Sequence, residues 1–290
     1  MPRRRSRVSP LCGRMSIMTE PTVAGRDRSG DPLRVVVVSC HEYAMATVRQ
    51  LTRLDGVEVV GFMRGDLPRA RLLVRIRRFW RTKGPAAVPA SVVSIARKMW
   101  SALVENGSRP SNAVPGVPYI RVGLLDAPDA IQTLETLKPD LMIVDGASIL
   151  KPDFFERPRY GAINLHCGKV PDYRGMPPAF WELYYGEREV GVSVHAVSSK
   201  LDEGAVFAAA TVPLDLRPPG DPVAYATRFW LEQLRPVGIQ LIAQVVRSIA
   251  DGTARPLPQP AASRPPFRAP SFREKLELRR RVARRRTEGR

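Results

Sequence analysis

Residues 33–40, LRVVVVSC, form an unbroken apolar and largely β-branched run. A strand without polar alternation has no face to give to water, so it must be covered on both sides. That requirement excludes a one-sided antiparallel sheet and calls for helices above and below. The continuation agrees. EYAMATVRQLTRL (42–54) carries apolar residues at helical spacing and runs out at Asp55-Gly56, and VEVVGFM (57–63) is a second strand. Strand, helix and strand in so short a stretch make a βαβ unit, whose crossover is right-handed.

The alternation resumes at residue 117. VPYIRV (117–122) reads as a strand, APDAIQTLETLK (127–138) as a helix and PDLMIVDG (139–146) as a second all-apolar strand. KPDFFERP (151–158) is a short helical turn, and GAINLHCG (161–168) is the next strand. PPAFWELYYGE (177–187) opens with prolines, which suit a first helical turn. EVGVSVHAVSS (189–199) and AVFAAATVPLD (205–215) are strands flanking KLDEG, and residues 221–250 form a long helix that Pro236 is expected to kink. The fold class is therefore α/β: a doubly wound, mostly parallel, Rossmann-like sheet.

Charge divides the chain further. The net charge is +18, yet residues 1–30 carry 7 basic and 2 acidic side chains, residues 64–100 carry 10 and 1, and residues 255–290 carry 12 and 3. The remainder is net acidic, so the basicity belongs to two ends and one insert and not to a uniform nucleic-acid face. RARLLVRIRRFWRTKG (69–84) and ASVVSIARKMWSALVEN (90–106) have helical periodicity with Arg and Lys between the apolar positions, an inserted helical pair whose long basic stems flank its apolar stripe. The expected organisation is a disordered basic extension over 1–30, one α/β domain over 31–252 with a basic helical insert at 64–116, and a Pro/Arg-rich disordered tail over 253–290.

Three dispersed cysteines, Cys12, Cys40 and Cys167, give neither a zinc spacing nor a disulfide framework. The basic N-terminus has no continuous apolar core of the kind a signal peptide needs, and no run is long enough to span a membrane. The expected location is cytoplasmic.

One strand end stands out. Asn164 and His166 are separated by a single residue where an apolar strand meets a Gly/Pro-rich loop, and Asp202 lies in a later loop of the same sheet. Ligands of open α/β sheets bind at the carboxyl ends of the strands. Singly, His166 reads as a surface histidine, Asn164 as a cap and Asp202 as a turn residue. The intervening pattern changes that balance. GAINLHCGKVPDYRGMPPAFWELYYGEREVGVSVHAVSSKLDEGAV (161–206) resembles the catalytic core of the formyltransferase superfamily that uses 10-formyltetrahydrofolate, which includes methionyl-tRNA formyltransferase, glycinamide ribonucleotide transformylase and the amino-sugar N-formyltransferases. The resemblance covers 117–213 closely and 33–63 in order of elements. It rests on Asn164-x-His166, Tyr173-Arg174-Gly175 and Leu201-Asp202-Glu203-Gly204.

The resemblance implies transfer of a formyl group from 10-formyltetrahydrofolate to a primary amine of a small-molecule acceptor such as an amino-sugar, with no metal. Asn164 would donate its amide to the formyl oxygen. His166 would hydrogen-bond the oxyanion or relay the proton, and Asp202 would orient His166, favour its protonated form and accept a proton directly or through water. Folate contacts fall on Gly146, Ala147, Ser148, Ile149 and Leu150, and on Ser198, Ser199 and Lys200 next to Asp202. Where many relatives have Ser-Leu-Leu-Pro, this chain has Gly168-Lys169-Val170-Pro171, and the turn SCHEYAMA (39–46) lacks glycines for a phosphate cradle. Glycinamide ribonucleotide is therefore not the expected acceptor. His41 contacts a substrate or caps a helix. Cys167 points away from His166, since neighbours on a strand face opposite sides, and is expected to be incidental. An aminoacyl-tRNA acceptor, with the basic insert and tail gripping nucleic acid, and a non-catalytic folate-binding protein are the competing readings.

Overall fold

The computed structural model describes residues 15–16, 30–66 and 112–288. The expected helical insert over 69–106 and most of the N-terminal extension lie outside them. Among the described residues, eight strands form one sheet: β1 (Met15–Ser16), β2 (Leu33–Ser39), β3 (Val57–Arg64), β4 (Tyr119–Arg121), β5 (Leu141–Val144), β6 (Ala162–His166), β7 (Glu189–Ala196) and β8 (Val206–Pro213). Their order is β1-β8-β7-β6-β5-β2-β3-β4. The five strands from β4 to β6 run parallel, and β7, β8 and the short β1 add antiparallel pairs at the other side.

The Val-rich run behaves as its composition demands. Val35 and Val37 enter one hydrophobic cluster, and Val36 and Val38 enter the other. Leu141 and Ile143 divide from Met142 and Val144 in the same way, because alternate side chains point to opposite faces. Helices α1 (Met45–Leu51) and α6 (Arg235–Ala250) cover the first face, and α2 (Pro128–Leu137) and α3 (Pro152–Phe155) cover the second. Helix α4 (Phe180–Tyr185) follows β6, and α5 (Pro222–Phe229) leads into a π-helical segment at Trp230–Leu234 before α6. A kink is expected at Pro236; the irregular stretch of the helix, the π-helical segment, ends just before it. Pro236 itself sits in the first turn of α6.

The C-terminal tail corrects the sequence-based expectation of disorder. Residues 272–287 form helix α7 (Phe272–Thr287), opened by a capping box in which Ser271 and Glu274 exchange backbone bonds. Leu278 and Val282, one turn apart, are fully buried in the first cluster. Its arginines are spent on carbonyl groups: Arg285 Nη1 donates to Leu183 O at 2.8 Å, Arg281 Nη1 to Tyr184 O at 3.3 Å and Arg286 Nη2 to Gly220 O at 2.8 Å. Two apolar residues on one face seat the helix, and the guanidinium groups satisfy the open carbonyls at the end of α4. A count of apolar residues cannot register either effect.

Candidate active site

Strand β6 ends at the carboxyl edge of the sheet, where Asn164 and His166 share a face. Antiparallel pairing with β7 sets Asn164 opposite His195. The loop from β7 to β8 returns over both and turns at Asp202, whose φ of 53° is left-handed, a conformation that aspartate tolerates better than most residues. Gly204 then passes so close to Ala196 that a Cβ there would overlap the Ala196 carbonyl. The glycine of Leu-Asp-x-Gly is thus required by space.

These elements bring the three sequence-predicted residues together. His166 Nδ1 lies 3.7 Å from Asp202 Oδ2, and Asn164 Nδ2 lies 3.5 Å from Asp202 Oδ1. The opposite edge of the His166 ring is fixed, with Nε2 2.9 Å from Tyr173 O. A carbonyl only accepts, so the Nε2–H donates, and in the neutral ring the Nδ1 lone pair faces Asp202. His195 completes the group: its Nδ1–H donates to Ala196 O at 2.8 Å, which leaves Nε2 to accept from Asn164 Nδ2 at 3.2 Å. His195 Nε2 is also 3.6 Å from Asp202 Oδ1, and Gly175 N donates to Asp202 Oδ2 at 3.0 Å.

Burial and charge oppose one another here. Burial alone would raise the Asp202 carboxyl, but His166, His195 and the Gly175 amide outweigh it and hold the group well below the usual carboxylate range. Burial lowers the His166 pKa, and although Asp202 and the Tyr173 carbonyl pull it upward, the net shift is downward. Asp202 therefore favours the imidazolium, while desolvation opposes it more strongly. Burial pushes the Cys167 thiol up to about 12, and the residue packs into the core with Leu165. It is not a thiolate at neutral pH. His41 neither caps its helix through a side-chain bond nor lines the cavity; its ring stacks on Tyr43 with centroids 4.9 Å apart.

A cavity of about 460 Å³ opens at this strand edge. Asn164, His166 and Asp202 line it, as do all five residues from Gly146 to Leu150 and all three from Ser198 to Lys200. Ala147, Ile149, Leu150, Val197 and Leu201 offer apolar surface among main-chain polar groups, which suits a flat heterocycle. The sequence reading missed His195, Tyr43, Trp230, Arg235 and Phe267, which also line the cavity. His195 was hidden because only the β6–β7 register puts it opposite Asn164. Arg235 pairs with Asp145 through two bonds of 2.9 and 3.0 Å and stacks 4.0 Å from the centre of the Tyr43 ring. The neighbouring π-helical segment has more residues per turn than an α-helix, and Trp230 and Arg235 both reach this cavity from it and the first residue beyond.

Comparison with known proteins converges on the same class. The formyl transferase family model matches residues 84–223. The methionyl-tRNA formyltransferase of Roseiflexus sp. (strain RS-1) is 28% identical over 230 residues, covering 79% of this chain and 60% of that protein. That of Rhodopirellula baltica is 40% identical over 100 residues, 34% of this chain and 30% of that protein. The chain thus spans about 60% of the length of the first of these relatives. Among solved structures, a sugar N-formyltransferase from Shewanella sp. FDAARGOS_354 shares the fold with a TM-score of 0.53 at 13% identity, over 86% of this chain and 87% of that one. Glycinamide ribonucleotide transformylase 1 from Symbiobacterium toebii gives 0.53 at 17% identity, over 81% and 100%. The Asn-x-His strand end and the Leu-Asp-x-Gly loop thus close on one cavity inside residues 84–223, the part of the chain that matches the formyl transferase family.

Proposed function

We propose that this chain transfers a formyl group from 10-formyltetrahydrofolate to a primary amine of a small acceptor of the amino-sugar kind, in the cytoplasm. The observation that carries the reading is the single cavity shared by Asn164, His166, Asp202 and both expected folate segments. The amine nitrogen attacks the formyl carbon, a tetrahedral oxyanion forms, and the bond from carbon to the folate nitrogen breaks. Asn164 donates an amide hydrogen to the oxyanion. Its longest existing bond, 3.5 Å to Asp202, is the one that yields. His166 takes the amine proton on Nδ1, and the resulting imidazolium is held between the Tyr173 carbonyl and the Asp202 carboxylate. Asp202 remains ionised throughout and acts by orienting and stabilising that cation. The proton then passes to the departing folate nitrogen.

A second reading has its own support. Relatives 28% and 40% identical to this chain are named methionyl-tRNA formyltransferase, and α7 exposes Arg273, Arg280 and Arg284 to solvent. On that reading the acceptor is an aminoacyl-tRNA and binding weakens steeply with salt. The test is one assay with two arms. The protein and 10-formyltetrahydrofolate are incubated with a panel of amino-sugars and with methionyl-tRNA, and a mass gain of one formyl group is sought. Gain on an amino-sugar supports the first reading and gain on the tRNA alone supports the second. No gain on any amine removes both.

A further inference from the structure

The segment after α6 crosses the catalytic group in a way that the reaction itself does not explain. Leu257 pairs with Val206 through both backbone bonds, 2.7 and 2.8 Å, at the start of β8. Two residues on, Gln259 Nε2 donates to Asp202 O at 3.0 Å and to Gly204 O at 2.6 Å. Only a group with two hydrogens can sit between two carbonyls, so the chemistry fixes the orientation of the amide. Its Oε1 is buried without a partner. A leucine of similar size would leave no such orphan. What the amide supplies instead is a staple across the left-handed residue that carries the carboxylate. Pro258 and Pro260 flank Gln259 and restrict the backbone that presents it.

The same segment then grips the turn that holds the other side of the site. Ser263 donates from N and Oγ to Asp172 Oδ1 at 2.9 and 2.7 Å, and Arg264 Nη1 donates to the Tyr173 hydroxyl at 3.0 Å. Phe267 bonds Arg174 O through its amide at 2.8 Å and stacks on Tyr173 and Trp181 at 5.5 and 5.0 Å. Tyr173 supplies the carbonyl that anchors His166, and Gly175 supplies the amide that anchors Asp202. Arg174 ties the two turns directly, through an ion pair with Glu203 and a 3.4 Å bond to Leu201 O.

We propose that residues 257–267 are a strap that sets the distance between His166 and Asp202, with Gln259 as the positioning residue for the Asp202 loop. The catalytic relevance of that distance rests on the reaction proposed above; the positioning itself does not. The groups facing His166 are Asp202, His195 and the Tyr173 carbonyl, and those facing the Asp202 carboxylate are His166, His195 and the Gly175 amide. Of these, Gln259 touches only the loop of Asp202, so losing it frees the carboxylate to move while leaving the His166 ring anchored.

The experiment uses the full chain with Gln259→Leu and Gln259→Glu. The chain has three histidines, so their ring protons can be titrated by NMR and assigned with His41→Gln and His195→Gln. Gln259→Leu is expected to unfold as cooperatively as the parent and to keep KM for 10-formyltetrahydrofolate, with kcat down about tenfold or more, as a small misplacement of a catalytic group produces. The His166 titration moves to lower pH as it loses part of the pull of Asp202. Gln259→Glu sets carboxylate oxygens against the two carbonyls and gives a lower kcat than the leucine variant. A folded Gln259→Leu with parental kcat and an unmoved His166 titration overturns the strap, and so does a fall in kcat that only tracks lost stability while His166 titrates as before. If the parent formylates no amine, the proposed reaction fails, and the His166 titration still decides the strap.

Discussion

The β6 strand end and the C-terminal segment serve the same cavity by different means. At β6 the residue types themselves carry the information: an amide and an imidazole two positions apart, with a carboxylate 38 residues after Asn164. In residues 255–287 the types mislead. Twelve basic side chains from residue 255 onward suggest a solvated tail, yet Leu278 and Val282 are fully buried and Phe267 lines the cavity. Side chains that do chemistry must be of particular kinds, and this makes them visible. Side chains that hold a scaffold need only fit their surroundings, and arginine fits wherever carbonyls are left open.

The sharpest way to break this contrast is to remove the tail's apolar anchors. Leu278→Ala should cost about 2–5 kcal/mol of stability, read by chemical denaturation, because it opens a cavity at a site that cannot collapse freely. Unchanged stability would return the segment to the solvated class. At the strand end, Asp202→Asn should lower turnover on the order of a hundredfold or more. It should also move the acidic limb of the pH–rate profile to lower pH. Asp202 raises the His166 pKa against the stronger effect of burial, so losing its charge lets that pKa fall further. An unmoved profile at full activity would take Asp202 out of the mechanism. A milder loss, about tenfold in kcat, is expected for Gly168→Ala, whose new Cβ would overlap both the Tyr173 carbonyl and His166 Nε2 and so part their hydrogen bond. Parental kcat in that variant would show that the bond does not matter. The smallest effect belongs to Leu276→Ala, on the exposed side of α7, which should stay within about 0.5 kcal/mol of the parent on the same denaturation curve.

Much of this architecture is legible in the sequence. Strand β2 announced burial on both faces, and Val35 and Val36 do point into different cores. The residues that the family resemblance singled out meet in one cavity because their spacing reflects loops that return to one sheet edge. What stayed hidden depended on pairing between distant segments. Nothing local marks His195 as the partner of Asn164, and nothing in PLPQPAASRPPF announces that its glutamine reaches the Asp202 loop. The π-helical segment at Trp230–Leu234 is hidden too: a proline such as Pro236 is visible in a sequence, and an extra residue in a helical turn is not.

The central claim is that the Asn164 amide stabilises charge that develops only during formyl transfer. The most direct measurement is kcat of Asn164→Ala, with 10-formyltetrahydrofolate and the acceptor found in the screen, on protein whose thermal transition is recorded in the same preparation. The account predicts a loss on the order of a hundredfold or more in kcat, little change in KM for the folate and a cooperative transition near that of the parent. A folded Asn164→Ala that turns over at the parental rate would contradict it.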